Sequence, residues 1–151
     1  MSRRCRIVHL GLGAFFRAHG AMYTQNAVAR GSDDWGIIGV SLRSPRVRDA
    51  LKTKRFNYTA VEASADGLKP QTMAVVENAL VAPENPRSVL DVMASSTTRI
   101  VSLTVTEKGY CRGEGGTLDR DHPDIVHDLT ASLPRSAPGF IVRALAERRA
   151  L

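Results

Sequence analysis

A short apolar run, Arg6-Ile-Val-His-Leu10, halts at a glycine and continues as Gly11-Leu12-Gly13-Ala14-Phe15-Phe16. Few segments restrict a fold so tightly. The run is too short for a helix and reads as a buried strand of a parallel sheet. Phe15, Ala18, Met22, Ala27 and Val28 then recur at helical spacing up to Gly31, which predicts a helix of about four turns closed by a glycine. Strand, glycine turn and helix make the first part of a βαβ unit, and that unit requires a second parallel strand. Trp35 to Leu42, after a polar turn at Asp33-Asp34, supplies it.

The alternation continues along the chain. Ser44-Pro45 matches an N-cap followed by proline at the first helical position, and it opens a helix from Arg46 to Lys54 with Val47, Ala50 and Leu51 on one side. Tyr58 to Ala63 and Thr72 to Val81 are strand candidates separated by the turn signal Asp66-Gly67, as in a hairpin inserted between parallel elements. Asn85-Pro86 repeats the cap-plus-proline pattern before Val89, Leu90, Val92 and Met93. Arg99 to Thr106 is rich in β-branched residues and reads as another buried strand. Lys108 to Asp121 contains Gly109, Gly113, Gly115 and Gly116 and is expected to be a loop. Helices are expected over Pro123 to Leu133 and Ser136 to Leu151, the latter with Phe140, Ile141, Ala144 and Leu145 on one face. The fold class is therefore α/β: a Rossmann-type, mostly parallel sheet flanked by helices, forming one domain over residues 1–151.

Composition narrows the function classes. With 151 residues, 43% hydrophobic and 24% charged, the chain can bury a core without disulfide staples. It contains no apolar run long enough to span a membrane, and the basic Met1-Ser2-Arg3-Arg4-Cys5-Arg6 lacks the apolar segment of a secretory signal. Cys5 and Cys111 make neither a disulfide framework nor a zinc site, and read as reduced thiols of a cytoplasmic protein. The net charge of +6 permits anionic ligands. Scattered positive charge and 5% aromatics do not make a base-stacking nucleic-acid surface.

The glycine turn carries the chemistry. Gly11 allows the tight turn, Gly13 lets the backbone approach a pyrophosphate, and the helix start offers N–H groups to the anion. The candidate cradle is Gly11, Leu12, Gly13, Ala14, Phe15, Phe16 and Arg17. The third fingerprint position, usually small, is Phe16, which implies looser helix–strand packing. An acidic ribose reader belongs at the end of the second strand; Asp33 and Asp34 precede that strand, and Ser41-Leu42-Arg43-Ser44 has no acid. Ser41, Arg43 and Ser44 are the candidates there. Arg43 and Ser44 suit a 2′-phosphate, as in NADP; the alternative is an Arg43 that stacks on adenine or is simply solvated.

Ile7-Val-His-Leu-Gly-Leu-Gly-Ala-Phe-Phe-Arg-Ala-His19 resembles the opening of the mannitol dehydrogenase family, the polyol-specific long-chain dehydrogenases and the fructuronate and tagaturonate reductases. The family pattern Gly-x-Gly-x-Phe-x-Arg-x-His falls on Gly11, Gly13, Phe15, Arg17 and His19. Trp35 to Arg43, Ser102-Leu-Thr-Val-Thr-Glu-Lys-Gly-Tyr110, His122 to His127 and Pro134 to Val142 continue the likeness. The resemblance implies an oxidoreductase that interconverts a secondary alcohol and a ketone with NAD, or NADP, and without zinc. It implies that a polyol or keto-sugar is the substrate of the complete enzyme. It also implies a helical C-terminal domain with a catalytic lysine that this chain does not include, so that the chain is the N-terminal cofactor domain and inactive alone. Thr106 and Glu107 would border the reacting end, with Glu107 lining the site.

Other candidates have plainer readings. His9 in a strand and His19 on the first helix read as structural. His122 and His127 stand five apart, off one helical face, and do not suit a metal. Cys111 lacks an adjacent base. Three rival functions remain: a non-catalytic nucleotide module acting with a partner chain, a methyltransferase-like protein, which the Thr104 to Tyr110 likeness opposes, and a basic nucleic-acid binder.

Overall fold

In the computed structural model, which describes residues 5–32 and 34–150, the element order is β1 (Cys5–Leu10), α1 (Ala14–Ala18), α2 (Gly20–Ala29), β2 (Trp35–Ser41) and α3 (Arg46–Lys52), followed by β3 (Tyr58–Ser64), β4 (Gly67–Met73), β5 (Val76–Val81), α4 (Pro86–Ala94), β6 (Thr98–Leu103), α5 (Pro123–Thr130) and α6 (Ala137–Arg149). Residues 1–4, Asp33 and Leu151, and the side chain of Cys5, lie outside the described residues, and with them most of the basic terminus and the first residue of the Asp33-Asp34 turn.

The main sheet has the order β5-β2-β1-β6, and every pairing in it is parallel. The chain leaves β1 toward β2 on one side and later returns to β6 on the other. β2 is buried at five consecutive positions, Gly36 to Val40, as a strand covered on both faces must be. On one face Val8, Leu10 and Val40 pack with Val89, Leu90 and Met93 of α4 and Phe140 and Ala144 of α6. On the other, Ile37 and Val76 pack with Leu12, Phe16, Ala21, Leu51 and Met73.

Several expected boundaries move. The single helix from Phe15 to Gly31 is two: α1 ends at Ala18, and His19, at φ −119° and ψ −73°, separates it from α2. Phe16 constrains the residue that follows the break. Its ring is buried and stacks on His9 of β1 with centroids 3.3 Å apart. A Cβ at residue 20 would lie 2.5 Å from that ring, so only glycine fits there. The missing third glycine of the turn therefore does not loosen the packing; an aromatic fills the space, and the small residue appears at Gly20 instead.

The strand expected over Thr72 to Val81 divides at Ala74-Val75. β3 and β4 pair antiparallel from Tyr58↔Met73 to Ser64↔Gly67 as a separate hairpin, while β5 joins the main sheet. The hairpin is tied down by the Tyr58 hydroxyl, which donates to the Arg17 carbonyl at 2.8 Å. Asn85 caps α4 as expected, accepting from the Ser88 N–H. For α3 the cap falls on Pro45 rather than Ser44, without a side-chain bond. The expected loop after β6 contains 3-10 turns at Glu107–Tyr110 and Glu114–Gly116. α5 stops at Thr130, three residues short of Leu133. Leu145 is 59% exposed and does not share the buried face of Phe140.

Candidate functional site

The carboxyl ends of β1, β2 and β6 meet at one edge of the sheet, and the glycine turn lies between them. Gly11 donates its N–H to the Val40 carbonyl at 2.8 Å, while the Thr104 N–H donates to Leu10 at 3.0 Å. The turn is thus tied to both neighbouring strands. Gly11 has φ +95°, and a Cβ there would lie 2.3 Å from the Thr104 carbonyl oxygen; conformation and space both exclude a side chain. The Gly13 N–H folds back onto the Gly11 carbonyl at 2.6 Å.

These segments enclose a cleft of about 270 Å³. Gly11, Leu12 and Gly13 form its β1 wall, Ser41, Arg43 and Ser44 its β2 wall, and Thr104 and Thr106 its β6 wall. A larger cavity of about 600 Å³ adjoins it and shares Leu42 and Arg43. Ala82 and Pro83, just past β5, and His127 and Arg135 line that second space. The expected strand-end cluster is therefore brought together, and Arg43 stands between the two spaces.

The remaining expected site residues lie elsewhere. Ala14 and Arg17 border a neighbouring depression with Arg46. Arg17 donates from its guanidinium to the Leu12 carbonyl at 2.9 Å, so it braces the turn from behind. Phe15 is 67% exposed and stacks on His19 at 4.6 Å, and Phe16 is core. Glu107 begins the 3-10 turn, exposed and outside the cleft lining, which takes Thr106 and Gly109 instead. Sequence reasoning missed Thr104 and Val47 in the cleft and Ala82-Pro83 beside it. All follow the ends of parallel strands or lie on the next helix, so counting past each strand end is the signal that finds them.

The histidines have defined partners. His9 is 1% exposed; its Nδ1 lies 2.8 Å from Ser102 Oγ and its Nε2 2.8 Å from Thr104 Oγ1. Burial lowers its pKa to about 4, against an opposing backbone hydrogen bond at Gly11, so the ring is neutral at neutral pH. His122 caps α5 by accepting from the Asp124 N–H. His127 Nδ1 lies 3.0 Å from Asp128, whose carboxylate also accepts from Arg135 N, Ser136 N and Ser136 Oγ. Burial pushes the Cys111 thiol up, away from the reactive thiolate. Among the described residues, no three His, Cys, Asp or Glu side chains gather around a point that could hold a metal ion.

The family model described as the mannitol dehydrogenase Rossmann domain matches residues 5–151. D-mannonate oxidoreductase of Escherichia coli is 44% identical over 151 residues, covering 95% of this chain and 31% of that protein. Mannitol 2-dehydrogenase of Pyrenophora tritici-repentis is 40% identical over 149 residues, covering 95% of this chain and 26% of that protein. Among solved structures, the Pseudomonas fluorescens mannitol 2-dehydrogenase ternary complex with NAD and D-mannitol superposes with a TM-score of 0.90 at 38% identity, over 99% of this chain and 32% of that one. A D-sorbitol dehydrogenase in substrate-free form gives 0.88 at 31% identity, over 95% of this chain and 31% of that one. The chain spans between about a quarter and a third of the length of these relatives.

Proposed function

The chain belongs to the mannitol dehydrogenase family, as its Rossmann domain, and from that premise we propose that it is the NAD-holding part of an oxidoreductase that interconverts a secondary alcohol and a ketone on a polyol or hexuronate. The carrying observation is the place of the glycine turn. It lies between β2 and β6 at the point where the chain reverses across the sheet, the position at which open α/β sheets bind ligands.

The residues present suit a dinucleotide. Gly13 lines the cleft, and a Cβ there would meet nothing nearer than the Gly11 carbonyl oxygen at 3.8 Å; any larger side chain would enter the space that a pyrophosphate needs. In this reading Gly11 to Gly13 receive the pyrophosphate and Ser41, Arg43 and Ser44 the adenosine ribose. The adjoining larger cavity takes the base, with Arg43 at its mouth. Thr104 to Gly109 border the reacting end. When bound, the nicotinamide supplies the hydride chemistry; this chain's residues place it and shield it.

The substrate contacts and the proton-transferring lysine belong, in this reading, to sequence beyond these 151 residues, in a domain that packs on this one. The protein acts in the cytoplasm, in keeping with a free thiol at Cys111. The test is titration of the purified chain with NADH and NADPH, followed by calorimetry and by the fluorescence of Trp35, its single tryptophan. NADH binding is expected. A chain folded by circular dichroism that binds neither dinucleotide overturns the reading. With mannitol or fructuronate added, turnover of NAD or NADH by the 151-residue chain is expected to stay at background.

A further inference from the structure

The cleft wall at Thr104 is backed by a group that no part of the proposed function uses. His9 is enclosed between β1 and β6, with its ring flat against Phe16 at an interplanar angle of 7°. The hydrogen-bond directions around it depend on where the single Thr104 hydroxyl hydrogen goes. Thr104 Oγ1 donates to the Gly11 carbonyl at 3.2 Å, and a hydroxyl has one hydrogen. With that hydrogen directed at the Gly11 carbonyl, Thr104 accepts from His9 Nε2 at 2.8 Å, and the imidazole proton lies on Nε2. A neutral ring then has a bare Nδ1, and Ser102 Oγ, at 2.8 Å, donates to it. The result is a one-way chain: Ser102 hydroxyl to His9 Nδ1, His9 Nε2–H to Thr104, Thr104 hydroxyl to the Gly11 carbonyl. It ends on the carbonyl of the residue whose N–H is already held by Val40.

We propose that His9 is a positioning residue for the dinucleotide site. Held in its Nε2–H form by Ser102 and Phe16, it orients the Thr104 hydroxyl onto Gly11 and so fixes the glycine turn in the shape that receives the pyrophosphate. This rests on the dinucleotide reading above. Phe16 has a role here that a glycine at the third fingerprint position cannot fill: its face keeps the imidazole plane aligned with both hydroxyls. The alignment makes His9 act on the cofactor through Thr104 rather than by touching it.

The experiment is NADH titration of the 151-residue chain carrying His9→Leu, His9→Gln, Thr104→Val and the double change His9→Leu/Thr104→Val, with folding checked by circular dichroism. His9→Leu is expected to weaken NADH binding about five- to tenfold, the value of one lost orienting hydrogen bond. It should weaken binding no further in the Thr104→Val background, because residues acting through one another are not additive. His9→Gln, which keeps an N–H donor near Nε2, should bind within about twofold of the parent. Unchanged binding by His9→Leu, or additive losses in the double variant, overturns the proposal. If His9→Leu does not fold, the ¹⁵N spectrum of the parent ring and the Gly11 amide decide. A proton on Nε2, with the Gly11 amide shifted by Thr104→Val but not by His9→Gln, supports the proposal; a proton on Nδ1, or an unmoved Gly11, overturns it. A folded parent chain that binds no NADH sinks the dinucleotide reading separately, and the same two spectra then decide whether His9 sets the turn.

Discussion

Gly11 concentrates two demands in one residue: a left-handed backbone and a Thr104 carbonyl 2.3 Å from where a Cβ would be. Gly11→Ala is expected to destabilise the chain by about 2 kcal/mol or more in urea unfolding, from the positive φ and the displaced β6 end together. Asp128 makes a different kind of demand. Burial raises its pKa, but hydrogen bonds from Ser136, His127 and Arg135 outweigh this and hold the carboxyl below its ordinary value. Asp128→Asn should cost about 2 kcal/mol at neutral pH by weakening charge-assisted bonds at the start of α6, measured by the same unfolding curves. The glycine turn could be read from the sequence because its signal is local, contained in six residues. Thr104 and Asp128 could not. Their partners are residues 11 and 136, and only the folded register brings them together. Phe16 was readable as a departure from the fingerprint, but what compensates for it, the ring of His9 and the bare backbone of Gly20, lies across the packing interface.

At the scale of elements, the pairing of a capping side chain with proline located the start of α4 to the residue, because cap and proline act on the backbone beside them. Asn85→Ala is expected to lower stability by about 1 kcal/mol through loss of the bond to Ser88. The contacts that join α4 and α6 include the fully buried Phe140, an ion pair between Arg87 and Glu147, and a hydrogen bond from Arg148 to the Met93 carbonyl. Their values should differ sharply. Phe140→Ala is expected to cost about 4 kcal/mol, whereas Glu147→Gln should cost less than about 1 kcal/mol, because the pair is partly solvated. Thermal melts of both variants give the comparison. The boundary between β4 and β5 escaped sequence reading for a physical reason. Thr72 to Val81 is apolar enough to be one strand, and only the sheet shows that the chain changes partners at Ala74-Val75. The break at His19 was equally hidden, since helical periodicity persists on both sides of it.

For the molecule as a whole, α/β class and parallel sheet followed from alternation alone, but strand order did not: nothing in β6 itself states that it lies beside β1. That adjacency buries His9, and with it a pH dependence. The unfolded chain protonates this histidine near 6.5, and the folded one only at about 4. Stability from this group is therefore complete above the unfolded value and falls as the pH drops from about 6.5 toward 4. Below that, Asp128 contributes in the same direction as its carboxyl takes up a proton. Melting temperatures from pH 8 to 3 should show both limbs, and His9→Gln should remove the first. The same adjacency also governs the order of assembly. Among the described strands β1 comes first in the chain and lies inside the sheet, between β2 and β6, yet His9 and the Ser102 that completes its surroundings are 93 positions apart. β1 and β2 can pair as soon as the first crossover closes, whereas the far side of β1 must wait for β6, which follows β2 only after α3, β3, β4, β5 and α4 have been made. Joining ends so distant carries a loop-closure entropy that nearer pairings do not meet. The glycine turn, anchored on β6, is thus completed only after that long closure, and the apolar layer that Phe140 and Ala144 of α6 add to one face of the sheet comes later still along the chain.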